Sequence, residues 1–286
     1  MLQMEGKDSA YSVLVTIWQY YLIGLLGYWD ILNLLGNKNQ PKMNFSQVSE
    51  KIDSSGALDF GRIFNASFEL FKKVWVQGFI TLLLTFVVII PFYLVAYIPM
   101  VAVGMTDPYY FESEELPASM ILFFIVYYPI MLIGVTMFTT CLTAAFLRIC
   151  RRVDSDEIGK DDYFFYFKKP YLSKAFTLAL IITGLSILGM LACGIGLIYL
   201  VVPMSLLSAF FAFDEELTSG EITKASFALG NKNWLIIFGL IFVSSLVAQL
   251  GILLCFIGFL FTAMFTRIPI YFIYKDSIGF SSETEF

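Results

Sequence analysis

The sequence has no histidine. That absence excludes Ser-His-Asp and Cys-His nucleophile systems, His-ligated zinc and imidazole proton transfer. Charge is also scarce, at 14% of residues, where a soluble domain carries roughly 25%. Cysteine is sparse, and Cys141, Cys150, Cys193 and Cys255 form no CxxC pair, so metal-site spacing is missing. The net charge of −5 lacks the basic footprint of nucleic-acid binding. No metal, cofactor or nucleic-acid partner is expected. What is abundant is apolar: 58% of residues, 17% aromatic, with a mean hydropathy of +0.78. The composition is that of a multi-pass membrane protein.

Charge-free windows locate the spans at 74–106, 116–147, 175–213 and 233–266. A crossing helix needs about 20 apolar residues. The third window holds 39 residues, roughly 58 Å as one helix, and must fold back, with Cys193-Gly194-Ile195-Gly196 as the break. The fourth extends to Lys275 past Arg267 and breaks near Cys255-Phe256-Ile257-Gly258. The predicted fold is all-α: six transmembrane helices near 75–103, 119–149, 175–193, 197–213, 234–254 and 258–275, arranged as three hairpins. The loop 105–118 is acidic. The opposite side holds Arg62, Lys72, Lys73, Arg148, Arg151, Arg152, Lys160, Lys168, Lys169, Lys174, Lys224, Lys232 and Lys275. By the positive-inside rule that side, with the C-terminus, is cytoplasmic in an inner membrane.

Two internal matches mark a repeated unit. Gly61–Trp75 and Gly220–Trp234 agree at eight of fifteen positions, at an offset of 159. Leu188–Gly196 and Leu250–Gly258 agree at six of nine. Each unit reads as an amphipathic cytoplasmic-face segment followed by a hairpin. At 100° per residue, Phe60, Ile63, Phe64, Ser67, Phe68, Leu70, Phe71, Val74 and Trp75 share one arc. Arg62, Asn65, Glu69, Lys72 and Lys73 share the other. Such a helix lies in the headgroup plane, or packs its apolar face on the bundle. Phe227 and Trp234 are the second unit's counterparts of Phe68 and Trp75. Asp161–Lys169 is a weaker middle version.

The pattern Gly-x-Ile-x-x-Ala-Ser-Phe-x-Leu-x-x-Lys-x-Trp before a hairpin, with the Pro203 and Asp214–Glu216 region, resembles uncharacterised bacterial multi-pass membrane proteins. These are similar to the membrane domain attached to some glycerophosphodiester phosphodiesterases. The resemblance covers most of 57–277. It implies a six-helix membrane domain without the catalytic domain, and carries over no phosphodiesterase activity.

The chain divides into 1–42, a single six-helix domain over 43–277, and an acidic cytoplasmic tail over 278–286. Residues 11–36 are apolar, with no basic flank before them and no small-x-small site after, so a cleaved signal is not expected. An interfacial segment, an extra helix, or an extended gene start upstream of Met43 are the readings left open.

Arg267 is the sharpest single feature. A central arginine costs at least about 2.5 kcal/mol in a spanning helix. It should face the interior, a water pocket or a lipid phosphate, or else snorkel with help from a bend at Pro269. Prolines 91, 99, 129, 203 and 269 bend their spans. Gln77, Thr139, Thr140, Thr143, Ser244, Ser245 and Gln249 are uncharged polar residues whose default role is interhelical hydrogen bonding. The loop 106–117 is read as solvated, with cation binding as the alternative. Cys193 and Cys255 occupy equivalent turns where a disulfide is conceivable. Asp154, Asp156, Asp161 and Asp214 are read as solvated linker acids, and a surface transferase using them is the enzymatic alternative. The expectation is a non-enzymatic protein that engages membrane lipids or protein partners, with Arg267 and Gln249 as ligand contacts. The alternative is a carrier for a small anionic amphiphile. A filled core suits the first; a partly polar cavity beside Arg267 suits the second.

Overall fold

Asn44 caps the first described helix by accepting the Gln47 N–H at 3.0 Å while its own N–H bonds the Gln47 side chain, a capping box. The computed structural model describes residues 43–102, 118–192, 194–253 and 257–280. The 1–42 segment, the 106–117 loop, Cys193, Cys255 and the tail beyond Phe280 lie outside these residues. Met43–Phe280 is one compact unit, and every regular element described in it is helical.

The helices are α1 (Phe45–Ser54), α2 (Phe60–Ala102), α3 (Ala118–Asp154), α4 (Lys169–Leu191), α5 (Ile195–Phe213), α6 (Ser219–Lys232), α7 (Trp234–Leu253), α8 (Ile257–Thr262) and α9 (Ile268–Ser277). Short 3-10 turns cover Phe165–Phe167 and Ala263–Arg267. Five helices are long and apolar enough to cross a membrane: α2 to α5 and α7. Their outward side chains include Ile98 at 65%, Leu122 at 64% and Leu191 at 76% exposure. A surface this apolar needs acyl chains as its solvent. Consecutive pairs pack together: α2 on α3, α4 on α5, and α7 on α8.

Three expectations are corrected. First, the segment 61–75 is not a separate interfacial helix. It runs without a break into the span, giving α2 its 43 residues, about 65 Å. Second, the equivalent 220–234 segment is separate: α6 ends at Asn233, whose φ of −123° and ψ of 29° leave the helix, and α7 starts at Trp234. Across the repeat, Phe71, Lys72 and Val74 correspond to Gly230, Asn231 and Asn233. Those are poorer helix formers, and asparagine favours cap positions. The middle version, 161–169, contributes only the 3-10 turn at Phe165–Phe167. Third, 258–275 is not one helix. It is interrupted by the 3-10 stretch that ends on Arg267, and Pro269 opens α9 at its first turn. Proline has no N–H to give to the carbonyl four residues back, so the α-helix cannot run through.

The packed body also continues past Ser277. Ile278 and Phe280 are buried, and the Phe280 ring lies 5.1 Å from that of Phe213. The acidic tail therefore shortens to 281–286.

The second internal match has a backbone cause. A Cβ on Gly196 would come within 2.9 Å of the Gly189 Cα. A Cβ on Gly251 would come within 2.6 Å of the Gly258 carbonyl carbon. In both helix pairs two glycines seven apart let the helices touch through their main chains, which no larger residue permits.

Candidate functional site

The charge-free stretch of α3, up to Leu147, carries threonines at 136, 140 and 143, spaced i, i+4, i+7, so they share one face. Thr139 lies beside them. This face forms one wall of a cavity of about 460 Å³. Ile182 of α4 and Ile241 and Ser245 of α7 stand on other sides. Helix α5 supplies Leu197, Val201, Met204, Ser205 and Ser208. Thr266, Arg267 and Ile270, from the 3-10 stretch and α9, close the ring. Among the described residues the wall therefore holds eight hydroxyls, one guanidinium and no carboxylate.

Arg267 is half-buried. Among the described residues no carboxylate, carbonyl or hydroxyl pairs with it. The 3-10 stretch puts it here: the break before Pro269 ends the preceding turn on Arg267 and directs the chain into α9.

The hydroxyls fall into two groups. Thr139 donates to the Val135 carbonyl at 2.8 Å, and Ser205 to Val202 at 2.8 Å. Ser208 donates to Ser205 at 2.9 Å, Ser245 to Ile241 at 2.7 Å and Thr266 to Ala263 at 3.0 Å. Their protons are committed to their own helices, so they offer the cavity only lone pairs. Thr136, Thr140 and Thr143 have no such bond among the described residues. They are free to donate.

Burial changes along the wall. Leu197 and Val201 are 38% and 39% exposed, whereas Ser208, Thr140 and Thr143 are buried. Among the described residues the lining is thus buried and polar at Thr140, Thr143 and Ser208, and more exposed and apolar at Leu197 and Val201. The α5–α7 contact is among the sparsest in the ring around it.

The other sequence-picked residues are placed as follows. Gln249 is exposed and does not line the cavity, so it is not a companion of Arg267. Ser244 is buried at the back of α7, and Gln77 lies elsewhere on α2. On α2, Ile63, Ser67, Leu70 and Val74 are buried; Phe60, Phe68 and Trp75 are exposed. Phe64, Phe68 and Phe71 set their rings edge-on to Phe265 at 6.0, 6.3 and 5.4 Å. Trp75 lies 5.7 Å from Phe261. The face expected at the interface thus packs on the bundle along one flank and is open along the other. Lys72 is tied to Glu69 at 2.6 Å and lies over the Phe68 ring; Lys73 is exposed. Phe227 is half-buried. The Trp234 indole N–H donates to the Tyr199 carbonyl at 3.1 Å, and its ring stacks on Phe238.

Three of the linker acids are engaged instead of solvated. Asp154 accepts from Lys275 at 2.8 Å and from the Tyr271 hydroxyl at 2.7 Å. Asp161 pairs with Arg152. Asp214 is 4% exposed and accepts the Tyr274 hydroxyl at 2.8 Å. Burial pushes its carboxyl up to about 6, against the lowering pull of Tyr274, Lys174 and Lys51.

Sequence reading missed Thr136, Ser205, Ser208 and Thr266. The i, i+4, i+7 spacing of the threonines and the i, i+3 spacing of the two serines were the available signals. Neither says that the two faces meet around Arg267. No family model, curated protein or solved structure matches the chain.

Proposed function

We propose that this chain is a multi-pass inner-membrane protein, without enzymatic activity, that holds the anionic group of a membrane amphiphile at Arg267. One observation carries the reading: a guanidinium with no protein partner among the described residues, set in a hydroxyl-walled cavity of a membrane domain. An unpaired buried charge is costly. A phosphate or carboxylate accepted from the membrane would compensate it by charge-assisted hydrogen bonds. The volume lies within the range of small-molecule sites, about 300–1,000 Å³.

The topology proposed with it has six passes in three hairpins. The sixth is α8, the 3-10 stretch and α9 in series, roughly 34 Å long by their rises, enough for a core of about 30 Å. A broken span is tolerated where its irregular backbone lines a cavity. The basic helix ends and the C-terminus face the cytoplasm. The resemblance to phosphodiesterase membrane domains supports the membrane placement and nothing catalytic.

A carrier is the second reading. A partly polar cavity beside Arg267, where a scaffold would have a filled core, supports it.

The test is lipid retention. Protein purified in mild detergent is expected to carry anionic lipid, quantified by mass spectrometry after extraction. Arg267→Ala should lose it and Arg267→Lys should keep part. An Arg267→Ala protein that melts normally and retains its full anionic lipid sinks the proposal.

A further inference from the structure

The hydrogen-bonding inventory of the cavity specifies more than charge. We infer that its occupant is an anionic lipid whose headgroup carries its own hydroxyl groups, with the acyl chains leaving past Leu197 and Val201. This rests on the reading of Arg267 as the anion contact.

A carboxylate or a fully ionised phosphate only accepts hydrogen bonds. Arg267 and the three free threonines would satisfy it. It would leave Ser205, Ser245 and the other back-bonded hydroxyls facing it with lone pairs, and lone pairs against an anion repel. Five of the eight hydroxyls have their protons committed to helix carbonyls at 2.7–3.0 Å. Their complement is a donor. A polar group sealed off without a complement costs about 1–3 kcal/mol, so a ligand with hydroxyls next to its charge fits where a bare anion does not. A cationic headgroup is disfavoured by the Arg267 charge, which no carboxylate offsets among the described lining residues.

The chain's direction follows from the burial gradient. Polar residues occupy the buried part of the lining and aliphatic ones the more exposed part. A wholly water-soluble polyol phosphate would have to leave Leu197 and Val201 against its polar surface, while acyl chains cover them favourably.

Delipidated full-length protein in nanodiscs of phosphatidylcholine provides the assay. It is offered dioleoyl-phosphatidylglycerol, dioleoyl-phosphatidic acid or soluble glycerol phosphate, and bound ligand is read by native mass spectrometry. Phosphatidylglycerol should bind about tenfold better than phosphatidic acid, the worth of one to two hydrogen bonds. Ser205→Ala with Ser245→Ala should weaken phosphatidylglycerol and abolish its advantage over phosphatidic acid. Val201→Trp, which narrows the apolar end, should weaken both lipids. Soluble glycerol phosphate should not compete. Equal binding of the two lipids, or no effect of the serine pair, overturns the headgroup assignment while leaving the anion site standing. Competition by glycerol phosphate overturns the placement of the chains. Loss of no lipid in Arg267→Ala refutes the anion site itself. A melting curve on each variant separates these results from misfolding.

Discussion

Asp214 shows how a single buried group ties stability to pH. Its carboxyl titrates near 6 in the folded protein because burial disfavours the anion. Unfolded, it returns to about 3.9. A folded-state pKa above the unfolded one means the folded protein holds the proton more tightly. The contribution to stability is therefore full below about pH 4 and is lost as pH rises through 6. Two pH units correspond to about 3 kcal/mol at most. Asp214→Asn, which keeps an acceptor for the Tyr274 hydroxyl, should flatten the fall in melting temperature between pH 4 and pH 7. A variant with the same slope as the parent would show that the slope arises elsewhere. Arg267 was legible as an anomaly in the sequence, being a charge inside an apolar run. Asp214 was not, since a linker acid looks the same whether solvated or capped by a tyrosine sixty residues on.

At the scale of elements, the two copies of the repeat show how small differences redirect a helix. In the first copy Val74 is fully buried, and Phe71 packs edge-on to Phe265. In the second, a Cβ on Gly230 would meet the Pro203 Cα at 3.3 Å, and Asn233 ends the helix. Lys232 then reaches the end of α1, donating to the carbonyls of Ile52 at 2.6 Å, Asp53 at 2.9 Å and Ser55 at 2.7 Å. This charge-assisted cap satisfies carbonyls a helix end leaves open. Lys232→Ala should destabilise the domain by about 1–3 kcal/mol. It should also make residues 43–59 the first site of limited proteolysis. Unchanged cleavage would show that α1 is held by Val48 and Ile52 alone. The glycine pairs allow a second check. Gly251→Val forces a side chain into the Gly258 backbone and should lower stability by about 1–3 kcal/mol or more. The same change at exposed Gly184, where a Cβ meets nothing within 4 Å, should cost far less. Similar melting shifts for the two would contradict the close approach.

For the whole molecule, the exposed surface of α2 to α5 and α7 sets the solvent. Side chains such as Ile98 and Leu191 are more than half exposed, and water would not support so many together. The protein should remain in the pellet after carbonate washing and ultracentrifugation, and enter the supernatant only with detergent. Much of the basic end is already paired, through Arg62–Asp276, Arg152–Asp161, Lys168–Asp162 and Lys275–Asp154. Those pairs offset part of the positive charge that its count of lysines and arginines suggests.

Composition and charge-free run lengths alone determined the all-helical, membrane-embedded character. These are one-dimensional quantities, and the bilayer responds to hydrophobic length directly. The glycine repeats likewise marked where helix backbones approach, because only glycine admits main-chain contact. What only the tertiary structure decided is which faces meet. Whether 61–75 and 220–234 stay attached to their spans depends on what each packs against. The hydroxyls of α3, α5 and α7 surround Arg267 because helices distant in sequence cross at a broken turn. Rotation of any one helix by half a turn would have hidden the same residues in lipid or in ordinary packing.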